Sequence, residues 1–262
     1  MISVTAAQLD AWLALFLFPL SRILALLAAA PVLSNAAMPA RIRLAAGLAI
    51  ALALAPALPP PPPVPAASWL GLTIVFEQIL IGTMMGFALR LAFAALDVAG
   101  ELIGLQMGLS FATFFDPDAG GQSSVIAQFL GLLAALVFLA MNGHLLAIWL
   151  VAESFSVLPV GSLPFHAVSL AALVKAGSMM FALGVLLALP LITALLVTNL
   201  ALGVLARVAP ALNIFAVGFP VTLALGFLVL MLSLPYMGAA MDPVFNRGFA
   251  VLESVLRAAA GK

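Results

Sequence analysis

AGSMMFALGVLLALPLITALLVTNLALGVLA, residues 176–206, carries no ionised side chain. A bilayer core about 30 Å thick is crossed by about 20 apolar residues in a helix, and this run exceeds that length. Strands of a membrane barrel would alternate inward polar with outward apolar residues, and this stretch does not alternate. It reads as helix. Leu44–Phe76, Ala119–Ala152 and Val208–Met241 are equally free of ionised groups. Over all 262 residues the chain is 66% hydrophobic and 7% charged, with nine Lys and Arg against nine Asp and Glu. A soluble domain is about 25% charged. So few ions exclude a soluble globular enzyme, a basic nucleic-acid binder and a disordered regulator. With no cysteine, disulfide frameworks, thiolate metal sites and Cys nucleophiles are excluded as well.

These features predict an all-α, membrane-associated bundle of long, broken hydrophobic helices arranged as helical hairpins, forming one domain over residues 1–262. Thr5 and Gln8 make a capping box for a first helix through Trp12, Phe16 and Leu20, with a kink expected at Pro19. Asp10 ahead of the apolar run and Arg22 inside it argue against a cleaved signal peptide. A second helix is expected from Pro39 to Ala57. The proline-rich stretch 56–65 reads as a stiff, extended polyproline spacer. Ser68 caps a third helix, Trp69 to Leu96. Further helices are expected over Val98–Met107, Ser124–Glu153, Val168–Ala206 (broken at Pro190) and Pro210–Met237, with a mixed C-terminal tail at 239–262.

Seven charges fall inside apolar helices: Arg22, Glu77, Arg90, Asp97, Glu101, Lys175 and Arg207. Ionisable groups at membrane depth are costly and face protein or a wet cavity. Arg90, Asp97 and Glu101, spaced by seven and four residues, share one helix stripe. That stripe has one cation and two anions, so protonation, or a cation such as Lys175, Arg207 or one from another chain, would balance it. It reads either as a proton- or ion-responsive cluster, or as a structural ion network or a water-facing stripe. Gly100, Gly104 and Gly108 form a small-residue face suited to close helix packing. The 18 Pro and 20 Gly interrupt many apolar segments, and backbone groups so freed cannot face lipid. Much of the chain should therefore be covered by protein.

GLSFATFFDPDAGG, residues 108–121, is the conspicuous non-helical candidate. Phe111, Phe114 and Phe115 crowd against Asp116-Pro117 and the pair Gly120-Gly121, and Pro117 biases Asp116 out of the helical region. An aromatic loop of this kind suits a hydrophobic constriction or an ordinary aromatic cluster. His144 and His166 stand alone, no Gly-x-Ser-x-Gly or phosphate-binding loop with Lys occurs, and no metal site, cofactor or catalytic residue is expected.

GELIGLQMGLSFATFFDP (100–117) resembles the corresponding region of the FliR/SctT family of type III export-gate subunits. The resemblance continues through FPLSRILALLAAAPVLS (18–34), MNGHL (141–145), KAGS (175–178) and ALPLITALLVTNLALGVLARVAPALNIFAVGFPVTLALG (188–226), and the wording favours the flagellar branch. It implies a non-enzymatic gate subunit in the bacterial inner membrane at the flagellar basal body, passing unfolded flagellar subunits. It implies FliP-like, FliQ-like and FlhB-like partners, an FlhA-like one among the wider set, membrane lipid and no nucleic acid. The family's plug-like loop falls on Gly108–Asp118 here, with Phe111 and Phe114 facing the pore and an additional Phe115. Arg90, Asp97, Glu101, Lys175 and Arg207 would form a buried charge network holding neighbouring helices in register. The alternatives are the equivalent subunit of a virulence-type injectisome and a stand-alone secondary transporter, although inverted repeats are not visible.

Overall fold

The computed structural model describes residues 5–34, 38–109, 124–162, 167–209 and 214–261. Among them every regular element is helical: α1 (Ala6–Ala29), α2 (Ala40–Leu54), α3 (Trp69–Gln106), α4 (Val125–Ala140), α5 (Gly143–Val157), α6 (Ala167–Val208) and α7 (Ile214–Ala259), with single 3-10 turns at Val32–Ser34 and Ala55–Ala57. Five of the helices are long and apolar enough to cross a membrane. The pair α4–α5, bent at its break, makes a sixth span if it crosses as one.

The local signals act as their chemistry requires. Thr5 Oγ accepts the Gln8 amide while Gln8 Oε1 accepts the Thr5 amide, closing the capping box on α1. Ser68 Oγ accepts the Gly71 amide at the start of α3. The proline-rich stretch is not one stiff rod. Val64 donates to the Pro62 carbonyl at 2.8 Å, a three-residue turn inside an otherwise extended stretch.

Three expected breaks are absent. α3 runs unbroken through Asp97, because a charged residue on an exposed helix face costs the backbone nothing. α6 continues through Pro190, and α7 through Pro220, Pro235 and Pro243, so the tail from 239 is helix as well. A proline removes one donor, which a long helix survives when its remaining bonds are intact. One break falls inside the expected helix Ser124–Glu153. Asn142 takes the left-handed conformation (φ 57°) and divides Ser124–Glu153 into α4 and α5, with His144 at the first turn of α5. Asn tolerates that conformation better than other residues with a Cβ.

The described residues pack as two compact units, and α3, α6 and α7 contribute to both. In the unit comprising 1–91, 142–177 and 247–262, Ala14 and Phe18 of α1 pack with Ala66 and Ile74, flanked by Val64, Val75 and Val160. In the unit comprising 92–141 and 178–246, Phe93, Phe138 and Phe245 form a three-ring cluster with centroids 5.1–5.5 Å apart. Tilted and edge-on pairs at that spacing are the favoured aromatic geometry.

Candidate functional site

Ser110 to Ser123 lie outside the described residues, and with them Phe111, Phe114, Phe115, Asp116, Pro117, Gly120 and Gly121. Both approaches to that segment are described. α3 ends in a Schellman motif. The Leu109 amide donates to the Gly104 carbonyl at 3.0 Å and the Gly108 amide to the Leu105 carbonyl at 3.1 Å, with Gly108 at φ 80°. That φ is open to glycine and strained for a residue with a Cβ. Just before it, the fully buried Met107 side chain fills the space a Cβ at Gly226 of α7 would occupy. The turn is thus held against α7.

On the far side, Ser124 caps α4 by accepting the Ala127 amide with its hydroxyl at 3.1 Å. Its own amide donates to the Glu101 carboxylate at 2.7 Å, across 23 residues of chain. Ser124 Oγ also lies 3.3 Å from the Gly100 carbonyl. A Cβ at Gly100 would collide with the Ala127 backbone, and one at Gly104 would press on Ser124 Oγ at 3.1 Å. These two glycines let the end of α3 and the start of α4 touch at backbone level.

The other charges of the expected network are arranged differently. Arg90, Asp97, Lys175 and Arg207 are exposed in the single chain, and Glu101 is partly buried. Periodicity placed Arg90, Asp97 and Glu101 on one stripe but could not say that the stripe faces outward.

Among the described residues the buried charges are Arg22, fully enclosed, and Glu77. Arg22 Nε donates to Gln78 Oε1 at 2.9 Å, and Nη2 reaches the same oxygen. Nη1 donates to the Ser154 carbonyl at 2.9 Å and to Ser154 Oγ at 3.0 Å, and Nη2 to the Leu158 carbonyl at 2.9 Å. The guanidinium lies 4.0 Å from the Phe155 ring centroid. A planar fork with five donors can satisfy this set, whereas an ammonium could not. The Ser154 and Leu158 carbonyls close the C-terminal end of α5, where a cation also opposes the helix dipole. A Cβ at Gly82 would collide with the Arg22 carbonyl, so α1 and α3 meet backbone to backbone here. Arg22 was visible in the sequence as a charge in an apolar helix. Its partners, 56 and more than 130 residues away, were not.

Neither arrangement assembles a nucleophile with a base. Both hold helix ends. The family profile described as "Bacterial export proteins, family 1" matches residues 13–248. The chain is 45% identical to the flagellar biosynthetic protein FliR of Escherichia coli K12 over 98% of both chains. It is 45% identical to that of Pectobacterium carotovorum over 94% of both, and 38% identical to that of Aquifex aeolicus over 70% of both. The chain belongs to bacterial export protein family 1, and its relatives are flagellar biosynthetic proteins of the FliR kind.

Proposed function

We propose that this chain is a non-enzymatic subunit of the flagellar type III export gate in the bacterial inner membrane at the basal body. It forms part of the channel through which unfolded flagellar subunits pass, with residues 1–262 acting as one domain. The observation that carries this reading is a mismatch of length and cover. α6 has 42 residues. At 1.5 Å per residue it is about 63 Å long, roughly twice a bilayer core of about 30 Å. Large apolar side chains are exposed along it from Val174 to Val208. Lipid tails cannot cover a helix of that length standing across a membrane, so further apolar cover must come from protein. FliP-like, FliQ-like and FlhB-like subunits, with an FlhA-like protein nearby, would supply it.

In this reading Phe111 and Phe114, with Phe115 beside them, obstruct the resting channel, and Gly108 with Gly120 and Gly121 allows the turns flanking them. Arg90, Asp97, Lys175 and Arg207, exposed in the single chain, meet partner groups in the assembly. Replacing Phe111 and Phe114 together by Ala should raise the ion leak of the purified, reconstituted complex several-fold. An equally tight gate would overturn the obstruction. Without the other gate proteins the chain should be degraded in cells, and only detergent should substitute for the missing apolar cover. A stable monomer that moves a small solute would replace this reading with a transporter.

A further inference from the structure

We infer that Glu101 is the positioning residue that holds together the two ends of the 110–123 segment, and so sets where that segment leaves α3 and enters α4. The effect on the channel rests on the obstruction proposed above; the clasp itself does not. The cap of α4 is incomplete within its own helix. A capping box needs an acceptor side chain three residues after the cap residue, to take the cap's own amide. α1 has one, since Gln8 follows Thr5. α4 has Ser124 as its cap but Ala127 at the third position, and Ala127 has no acceptor. Ala127 also sits where α3 and α4 meet, since a Cβ at Gly100 would collide with its backbone and Cβ.

The missing half of the box comes from another helix. Glu101 Oε1 accepts the Ser124 amide at 2.7 Å, and its negative charge sits at the positive end of α4. A cap made locally would stabilise α4 equally well without fixing its start to anything. A cap supplied from α3 does both, and it spans the whole intervening segment. The partner end of that segment is independently fixed by the Schellman turn at Gly108 and by Met107 seated at Gly226. With both ends pinned, the carboxylate is the tie between them. A hydrogen bond to a charged acceptor contributes more than a neutral one and is shorter, as it is here.

The chain has no cysteine, so a pair of spin labels can be placed without background. Leu105 and Val125 are exposed in this chain; Leu105 lies four residues after Glu101, and Val125 directly follows Ser124. Leu105→Cys and Val125→Cys, nitroxide-labelled in the assembled gate complex, report the separation of the two stems by pulsed electron resonance. The distance distribution should be narrow in the parent and in Glu101→Gln, whose amide oxygen still accepts. It should broaden at least twofold in Glu101→Ala and in Ser124→Pro, which lacks the donor while keeping the observed φ of −57°. Ser124→Ala, which keeps the amide, should stay narrow. An unchanged width in Glu101→Ala, or equal broadening in Ser124→Ala, overturns the clasp.

Ion leak then tests the link to the channel. Glu101→Ala should leak several-fold more than the parent and Glu101→Gln should not. Leak from the Phe111 and Phe114 double variant without leak from Glu101→Ala refutes the positioning role and leaves the obstruction standing. No leak from the phenylalanine variant refutes the obstruction, and the clasp is then decided by the distances alone.

Discussion

The two halves of α7 are one continuous helix facing two different environments. Up to Tyr236 its surface is greasy, with Phe219, Phe227, Met231, Leu232 and Tyr236 all exposed in the single chain. From Met241 onward it follows the rule of a water-soluble helix. Met241, Val244, Phe245, Phe249, Leu252, Val255 and Leu256 are buried at steps of three and four, while Asp242, Asn246, Arg247, Glu253 and Arg257 are exposed. The change of surface comes within five residues, and the backbone does not register it. Helicity therefore says nothing about what surrounds a segment; the identity of the exposed face says it.

The largest effect should come from the half covered by its own chain. Phe245→Ala removes a ring 2% exposed that packs with Phe93 and Phe138. It should cost about 3–5 kcal/mol in reversible unfolding in detergent. Tyr236→Ala, at 73% exposure, should shift the same curve by under about 0.5 kcal/mol. Equal losses at the two positions would erase the distinction between the halves.

A smaller but more informative effect is expected in the uncovered half. Leu232→Arg should leave the single chain's detergent stability nearly unchanged, since Leu232 is 61% exposed. In cells it should cost roughly 3–4 kcal/mol of membrane insertion if lipid covers the position. If protein covers it, insertion should proceed and co-purification with gate partners should fall at least tenfold. A glycosylation-based insertion assay run beside the pull-down distinguishes the two.

The smallest effect belongs to the polar face. Glu253 and Arg257 form an exposed ion pair one turn apart. Breaking it with Glu253→Gln should cost a few tenths of a kcal/mol at low salt and nothing measurable at 1 M salt. A cost that persists at high salt would mean that this face is buried against another chain and does not meet water.

Much of this was legible beforehand. The long apolar runs required helices, and the Thr5–Gln8 and Ser68 caps announced two of their starts. The expected helix end near 237–239 is absent, since α7 runs through it and only the character of the exposed face changes there. What misled the reading was punctuation. Four prolines inside α6 and α7 end nothing, whereas Asn142-Gly143, an ordinary turn dipeptide between two greasy runs, ends α4. Proline removes a single hydrogen bond, while a left-handed residue redirects the whole backbone.

By itself the sequence determined the helical class, the need for an apolar surrounding, the family and the spacing that puts Arg90, Asp97 and Glu101 on one stripe, because composition and periodicity are properties of neighbours in the chain. Only the tertiary structure decided that this stripe is mostly exposed, that Arg22 is the enclosed cation, and that Glu101 completes the cap of a helix beginning 23 residues later. Those outcomes depend on where helix ends meet in space, and a local pattern carries no record of that.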